Sequence, residues 1–186
     1  MENLLALLIV VVLVVALVGS AIAIYNRLVF LNNNADKAFA NIDVLLKQRA
    51  DEIPNLIEVV KQHTGFEQSV LEKLTKLRTD FLNAVNSDDK VAIANETAGA
   101  LKTVFAVSEN YPELQSSQAF NNLQNRVSGI EDAIADRREL FNETVALYNT
   151  GIQEFPNVIF AGMLRYNKRN FLQITEQEKV YNGVKF

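Results

Sequence analysis

From Leu4 to Ile24 the chain is apolar without a break, with Ser20 its one polar side chain and no charge. As a helix this stretch is about 31 Å long at ~1.5 Å per residue, the thickness of a bilayer's hydrocarbon core. Beyond it, apolar residues recur at intervals of three and four: Leu28, Leu31, Ala35, Ala38, Ile42 and Leu45. That is the stripe of an amphipathic helix. No Gly or Pro lies between Ile24 and Pro54, so the spacing predicts one helix leaving the membrane without a joint. It runs from Tyr25 to His63, with a kink at Pro54 and an end at Gly65.

A second helix is predicted over Phe66 to Val85, on the stripe Val70, Leu74, Leu77, Phe81 and Val85. Asn86-Ser87-Asp88-Asp89 reads as a turn, with Ser87 or Asp88 capping a third helix that reaches Asn110. Tyr111-Pro112 stops it, because a residue before proline avoids the helical region. Ser116 or Ser117 caps a long fourth helix ending near Glu154, before Phe155-Pro156. No strand-like alternation appears, so the class is all-α. The outer helices one and four span 39 and 38 residues, and the inner two are about half as long. Short connections make sequential helices antiparallel. The expected architecture is an N-terminal transmembrane helix (1–24) continuing into an antiparallel four-helix bundle (25–156), with a tail (157–186) that starts at the membrane face.

Charge sharpens this division. Residues 25–156 carry 13 Lys and Arg against 19 Asp and Glu, whereas residues 157–186 carry 5 against 2. An acidic body argues against nucleic acid as a partner. The basic tail interleaves Phe160 and Phe171 with Arg165, Lys168 and Arg169, a mixture suited to anionic lipid headgroups or to a neighbouring subunit. The alternative is that the tail folds back on the helices. Met1-Glu2-Asn3 is not a basic leader and the apolar run exceeds a signal peptide's core, so the first helix is expected to be a retained anchor. Arg27 follows the span and no basic residue precedes it, which favours a cytoplasmic body on a single-pass protein of the cell (inner) membrane. Within the span, Ala16, Gly19, Ser20 and Ala23 share one face, which either serves helix self-association or reflects ordinary transmembrane composition.

Candidates for chemistry are few. There is no Cys, which removes disulfides, thiol catalysis and thiolate metal sites. His63 is the sole histidine and the Glu-x-x-His pairs of di-iron bundles do not occur. No glycine-rich phosphate loop is present. No catalytic residue, cofactor, metal or small-molecule substrate is expected. Two charged clusters remain: Lys47, Arg49, Asp51, Glu52 and Glu58 around Pro54, and Glu131, Asp132, Asp136, Arg137, Arg138 and Glu139 midway along the fourth helix. Arg49 stands where the stripe expects an apolar residue, and Asp136 with Arg137 flanks the corresponding gap. The clusters are either a binding surface or an ion-pair network fixing helix register.

The motifs Asn41-Ile42-Asp43-Val44, Leu46-Lys47, Arg49, Asp51 and Ile53-Pro54-Asn55-Leu56 resemble the signature of the LemA family. So do Glu109-Asn110-Tyr111-Pro112-Glu113-Leu114, Asp136-Arg137-Arg138, Phe141-Asn142 with Val145, Tyr148-Asn149-Thr150 and Phe155-Pro156. The resemblance runs from the anchor to Pro156 and is poor beyond it. Phe39-Ala40 stands where the family usually has Trp. The resemblance implies one membrane helix, an antiparallel helical bundle and no established enzymatic activity. A magnetosome-membrane protein among the family's relatives implies membrane organisation. The expected function is a non-enzymatic, membrane-anchored scaffold that self-associates. The alternative is an adaptor recruiting a specific membrane protein such as a protease or sensor.

Overall fold

The computed structural model describes residues 1–62 and 68–173. Among them it is all-α, with six helices and no strand: α1 (Glu2–Lys61), α2 (Gln68–Asn83), α3 (Ser87–Ser108), α4 (Pro112–Gln115), α5 (Gln118–Gly151) and α6 (Asn157–Met163). The expected helix end at Gly65, and His63 with it, lie outside the described residues.

α1 is a single helix of 60 residues that carries straight on from the apolar stretch into the amphipathic one. Pro54 sits inside it without ending it. Its ring removes one N–H, but Ile53 and Leu56 on either side are buried, so tertiary packing holds the turn in helical form. The cap of α3 is Asn86, not Ser87 or Asp88: Asn86 has an extended backbone, and its side chain accepts the Asp89 N–H at 2.7 Å. Tyr111-Pro112 does more than stop α3. Pro112 takes the first position of the one-turn helix α4, where a missing N–H costs nothing. Ser117 then accepts the Phe120 N–H at 3.4 Å at the start of α5. α6 was not foreshadowed by the periodicity. It closes with a left-handed residue, Arg165 (φ 56°), and with the Tyr166 N–H on the Ala161 carbonyl and the Arg165 N–H on the Gly162 carbonyl, at 3.0 and 3.2 Å.

The chain forms two compact units. One comprises Met1–Lys37 and Glu143–Arg169. Its core is Leu28 and Ala35 of α1, Tyr148 and Ile152, and Ala161 of α6, with Ile24, Leu31, Phe160, Leu164 and Tyr166 packed around them. The tail as far as Arg169 therefore folds back on its own chain. In this unit residues 1–20 are exposed throughout.

The second unit comprises Ala38–Asn142 and the segment from Asn170. Its core takes Ile53, Leu56 and Val60 from α1 and Leu71, Leu74 and Leu77 from α2. Ala100, Leu101 and Val104 come from α3, Leu114 from α4, and Phe120, Leu123 and Val127 from α5. Phe120 is fully enclosed and lies edge-on to Phe105 at 6.3 Å. Phe120→Ala is expected to cost about 3–5 kcal/mol by leaving a cavity. Phe155→Ala, at an exposed site, is expected to cost less than about 0.5 kcal/mol. Denaturation followed by circular dichroism in detergent distinguishes the two.

Candidate functional site

In the second unit, Ile42, Leu46, Ile53 and Leu56 are buried at alternating spacings, and Arg49 occupies the position between Leu46 and Ile53 in that stripe. It is only 3% exposed. A guanidinium stripped of water needs partners for its fork of donors. Nη1 donates to both carboxylate oxygens of Glu131 at 3.0 and 3.2 Å, and Nη2 donates to the Ala94 carbonyl at 2.7 Å. One side chain thus ties α1 to α3 and α5.

Two further pairs lie in the same unit. Lys90 Nζ reaches both oxygens of Asp43 at 3.0 Å, with the Phe81 ring 5.4 Å and the Phe39 ring 5.9 Å away. Arg126 forks onto Glu52 at 3.1 and 3.0 Å, and Asn55 donates to the same carboxylate at 2.9 Å. Burial raises the Glu52 carboxyl, but the Arg126 and Asn55 hydrogen bonds and the Arg126 charge outweigh it, so Glu52 titrates below the usual carboxylate range.

The two charged clusters are therefore split. Arg49 and Glu52 join inter-helix pairs. Asp51 is exposed and meets Lys47 one turn away at 3.4 Å, while Asp136 and Arg137 stand on the surface. Arg138 is half-buried and reaches toward the Gln173 carbonyl at 3.5 Å. The carboxylate opposite Arg49 is Glu131, one of several acidic residues in that cluster. Nothing in the sequence singles it out, nor pairs Asp43 with Lys90 or Glu52 with Arg126. An open cleft of about 670 Å³ lies alongside Glu131, between Ala98, Leu101 and Phe105 of α3 and Gln124 and Ser128 of α5. Among the described residues, no three His, Asp or Glu side chains are grouped as a metal could use them.

In the first unit, Arg169 is the engaged residue of the tail. Its guanidinium meets Asp36 at 2.7 Å, donates to Asn32 at 2.8 Å and lies 5.0 Å from the Tyr148 ring. Burial lowers its pKa, but Asp36 and Tyr148 outweigh that, so it is held more firmly protonated than usual. Arg27 pairs with Glu154 at 3.1 Å. Phe160 is half-buried in the core, and the Arg165 and Lys168 side chains are exposed. Phe171, in the second unit, is largely exposed. Ala16, Gly19, Ser20 and Ala23 are exposed on α1, and a Cβ added at Gly19 would meet nothing. α1 is the one helix among the described residues long and apolar enough to cross a membrane, and its apolar window buries nothing within the chain.

Comparison with known proteins adds a lineage to this geometry. The LemA family model matches residues 38–186. The match begins inside α1 and continues through the tail, where the motifs alone faded at Pro156. Magnetosome proteins MamQ 1 and MamQ 2 of Paramagnetospirillum magneticum are each 24% identical over 86% of this chain and 68% of their own length. Magnetosome protein MamQ of Magnetospirillum gryphiswaldense is 24% identical over 76% of this chain, which spans 62% of that protein.

Two outcomes are expected from the pairs. Arg49→Ala and Glu131→Ala should each cost about 2–4 kcal/mol, and their double-mutant cycle should show coupling of about 1–3 kcal/mol. Arg49→Lys should not rescue, because an ammonium cannot bridge a carboxylate and a carbonyl in a fixed fork. The second concerns pH. Glu52 has a lowered folded pKa, so its contribution is present above the unfolded value of about 4.5 and is lost as pH falls through the folded value. The melting-temperature gap between the native protein and Glu52→Gln should hold at neutral pH and close below pH 4.5.

Proposed function

The chain belongs to the LemA family, and from that premise we propose that it is a non-enzymatic scaffold anchored in the cell (inner) membrane, which self-associates and organises the membrane or its proteins. The observation that carries this reading is α1: its apolar part is unburied within the chain, and the same helix supplies Arg49 and the core stripe of the body. The apolar stretch and the stripe of the body thus belong to one helix. The relatives' names tie them to the magnetosome, which supports a role in organising a cellular structure over a catalytic one.

The proposed arrangement is a bundle in which α1 and α5 run antiparallel. Its support is numerical: Arg49 pairs with Glu131 and Glu52 with Arg126, so one helix counts up as the other counts down. In the other unit, a Cβ on Gly151 would press on Leu31 while Arg27 pairs with Glu154, in the same sense. Arg27, at the body end of the apolar stretch, supports a cytoplasmic body.

The full chain solubilised in mild detergent is expected to run as more than one copy. Because a side chain at Gly19 has open space in the single chain, Gly19→Leu should leave the fold intact and weaken association by about tenfold if the small face packs helix on helix. Sedimentation measures both. A strictly monomeric chain would favour the adaptor, which would bind a different membrane protein at the cleft beside Glu131.

A further inference from the structure

Beyond α6 the chain stops making helical turns, and in the second unit its amides bond to side chains instead. Asn142 of α5 donates to the Leu172 carbonyl at 2.8 Å and accepts the Leu172 N–H at 3.0 Å. Asn95 of α3 donates to the Phe171 carbonyl at 3.0 Å and accepts the Gln173 N–H at 2.9 Å. Asp88 accepts the Asn170 N–H at 2.7 Å. The Leu172 N–H and carbonyl point to α5, while the Phe171 carbonyl and the Gln173 N–H point to α3. That alternation belongs to an extended backbone. A primary amide presents N–H donors and a carbonyl acceptor in one plane, as a strand neighbour's backbone does, so the two asparagines replace a missing strand. The first unit uses the same device: Asn149 donates to the Arg169 carbonyl at 3.0 Å and accepts its N–H at 2.8 Å.

These contacts read the main chain. In the second unit the one buried side chain of the segment is Leu172, while Phe171 stays largely exposed. Neither the ion pairs nor the anchor requires such a construction. We propose that the Asn95–Asn142 groove is a receptor for an extended polypeptide backbone, filled here by the chain's own Asn170–Gln173, and that between anchored copies it takes the same segment of a second copy. The occupant follows from the fit, since this segment is the one whose Phe171, Leu172 and Gln173 main-chain groups the two asparagines match. Every copy carries both halves. Exchange alters which copy supplies the segment and keeps the groove's own hydrogen bonds, so the balance rests on chain closure against local concentration. Anchoring in one membrane raises that concentration. The inference rests on the self-associating scaffold read above and supplies its contact.

The test uses full-length protein in detergent. Leu172→Asp empties the groove, and Asn95→Ala with Asn142→Ala disables it. A labelled peptide of residues 167–176 should bind the Leu172→Asp chain about tenfold more tightly than the native chain, whose groove is filled. Adding both asparagine changes should remove that gain. Asn142→Asp, which keeps the acceptor for Leu172 but loses the donor, should weaken it several-fold without altering the helical circular dichroism. For exchange, a tagged chain with a disabled groove and an intact tail is mixed with the Leu172→Asp chain. Co-capture should exceed several-fold that between two chains that both lack the groove. Peptide binding indifferent to the asparagines overturns the receptor. Co-capture no greater than the reference overturns the exchange, and if the reference pair itself associates, the scaffold reading stands on another contact.

Discussion

The second unit depends on a charge placed where its core should be apolar. Arg49 sits in the stripe of α1 among Leu46, Ile53 and Leu56, and it is almost wholly enclosed. Leaving it unpaired would cost several kcal/mol, so the helices around it must present a carboxylate and a carbonyl at fixed points. Glu131 and the Ala94 carbonyl do so. A turn of slippage in α5, about 5.4 Å, would withdraw the carboxylate. The apolar contacts nearby are tolerant by comparison, since aliphatic side chains pack in several registers. Arg49 therefore selects one packing from several, and the pairs Asp43–Lys90 and Glu52–Arg126 reinforce that choice from the unit's more exposed flanks.

The tail obeys a related constraint. A segment without helix or sheet must still satisfy its amides wherever it lies against protein. The side-chain amides of Asn95, Asn142 and Asn149 meet that need, and Arg169 adds a charged contact to Asp36. Asn142 and Asn149 fall seven residues apart, two turns on one face of α5. Both stand in stretches that resemble the LemA signature, and their polarity has no explanation from helix formation alone. Holding an extended segment supplies one.

The helical class, the apolar anchor stretch and most of the core were legible in the chain, because burial on a helix imposes a period and the period is written in Leu71, Leu74, Leu77, Phe120, Leu123 and Val127. Local chemistry was legible less finely. Asn86 took the cap expected of Ser87 or Asp88, and Asp88 turned its side chain to Asn170. Pro112 began a helix where it was expected only to end one. In both cases the sequence marked the break, and neighbours distant in the chain chose among nearly equivalent local solutions.

What the sequence determined by itself was periodic or compositional: an all-α chain, one stretch long and apolar enough to span a bilayer, a polar anomaly at Arg49, and a basic tail on an acidic body. What only the tertiary structure decided was pairing. That Arg49 meets Glu131 while Asp136 stays in solvent depends on the relative height of two helices whose paired residues lie 82 positions apart in the chain. That a tail rich in Arg, Lys and Phe spends Arg169 on Asp36 depends on where α6 delivers it. Charges and amides act over a few ångströms and carry no period, so their partners become visible only when the chain has brought them together.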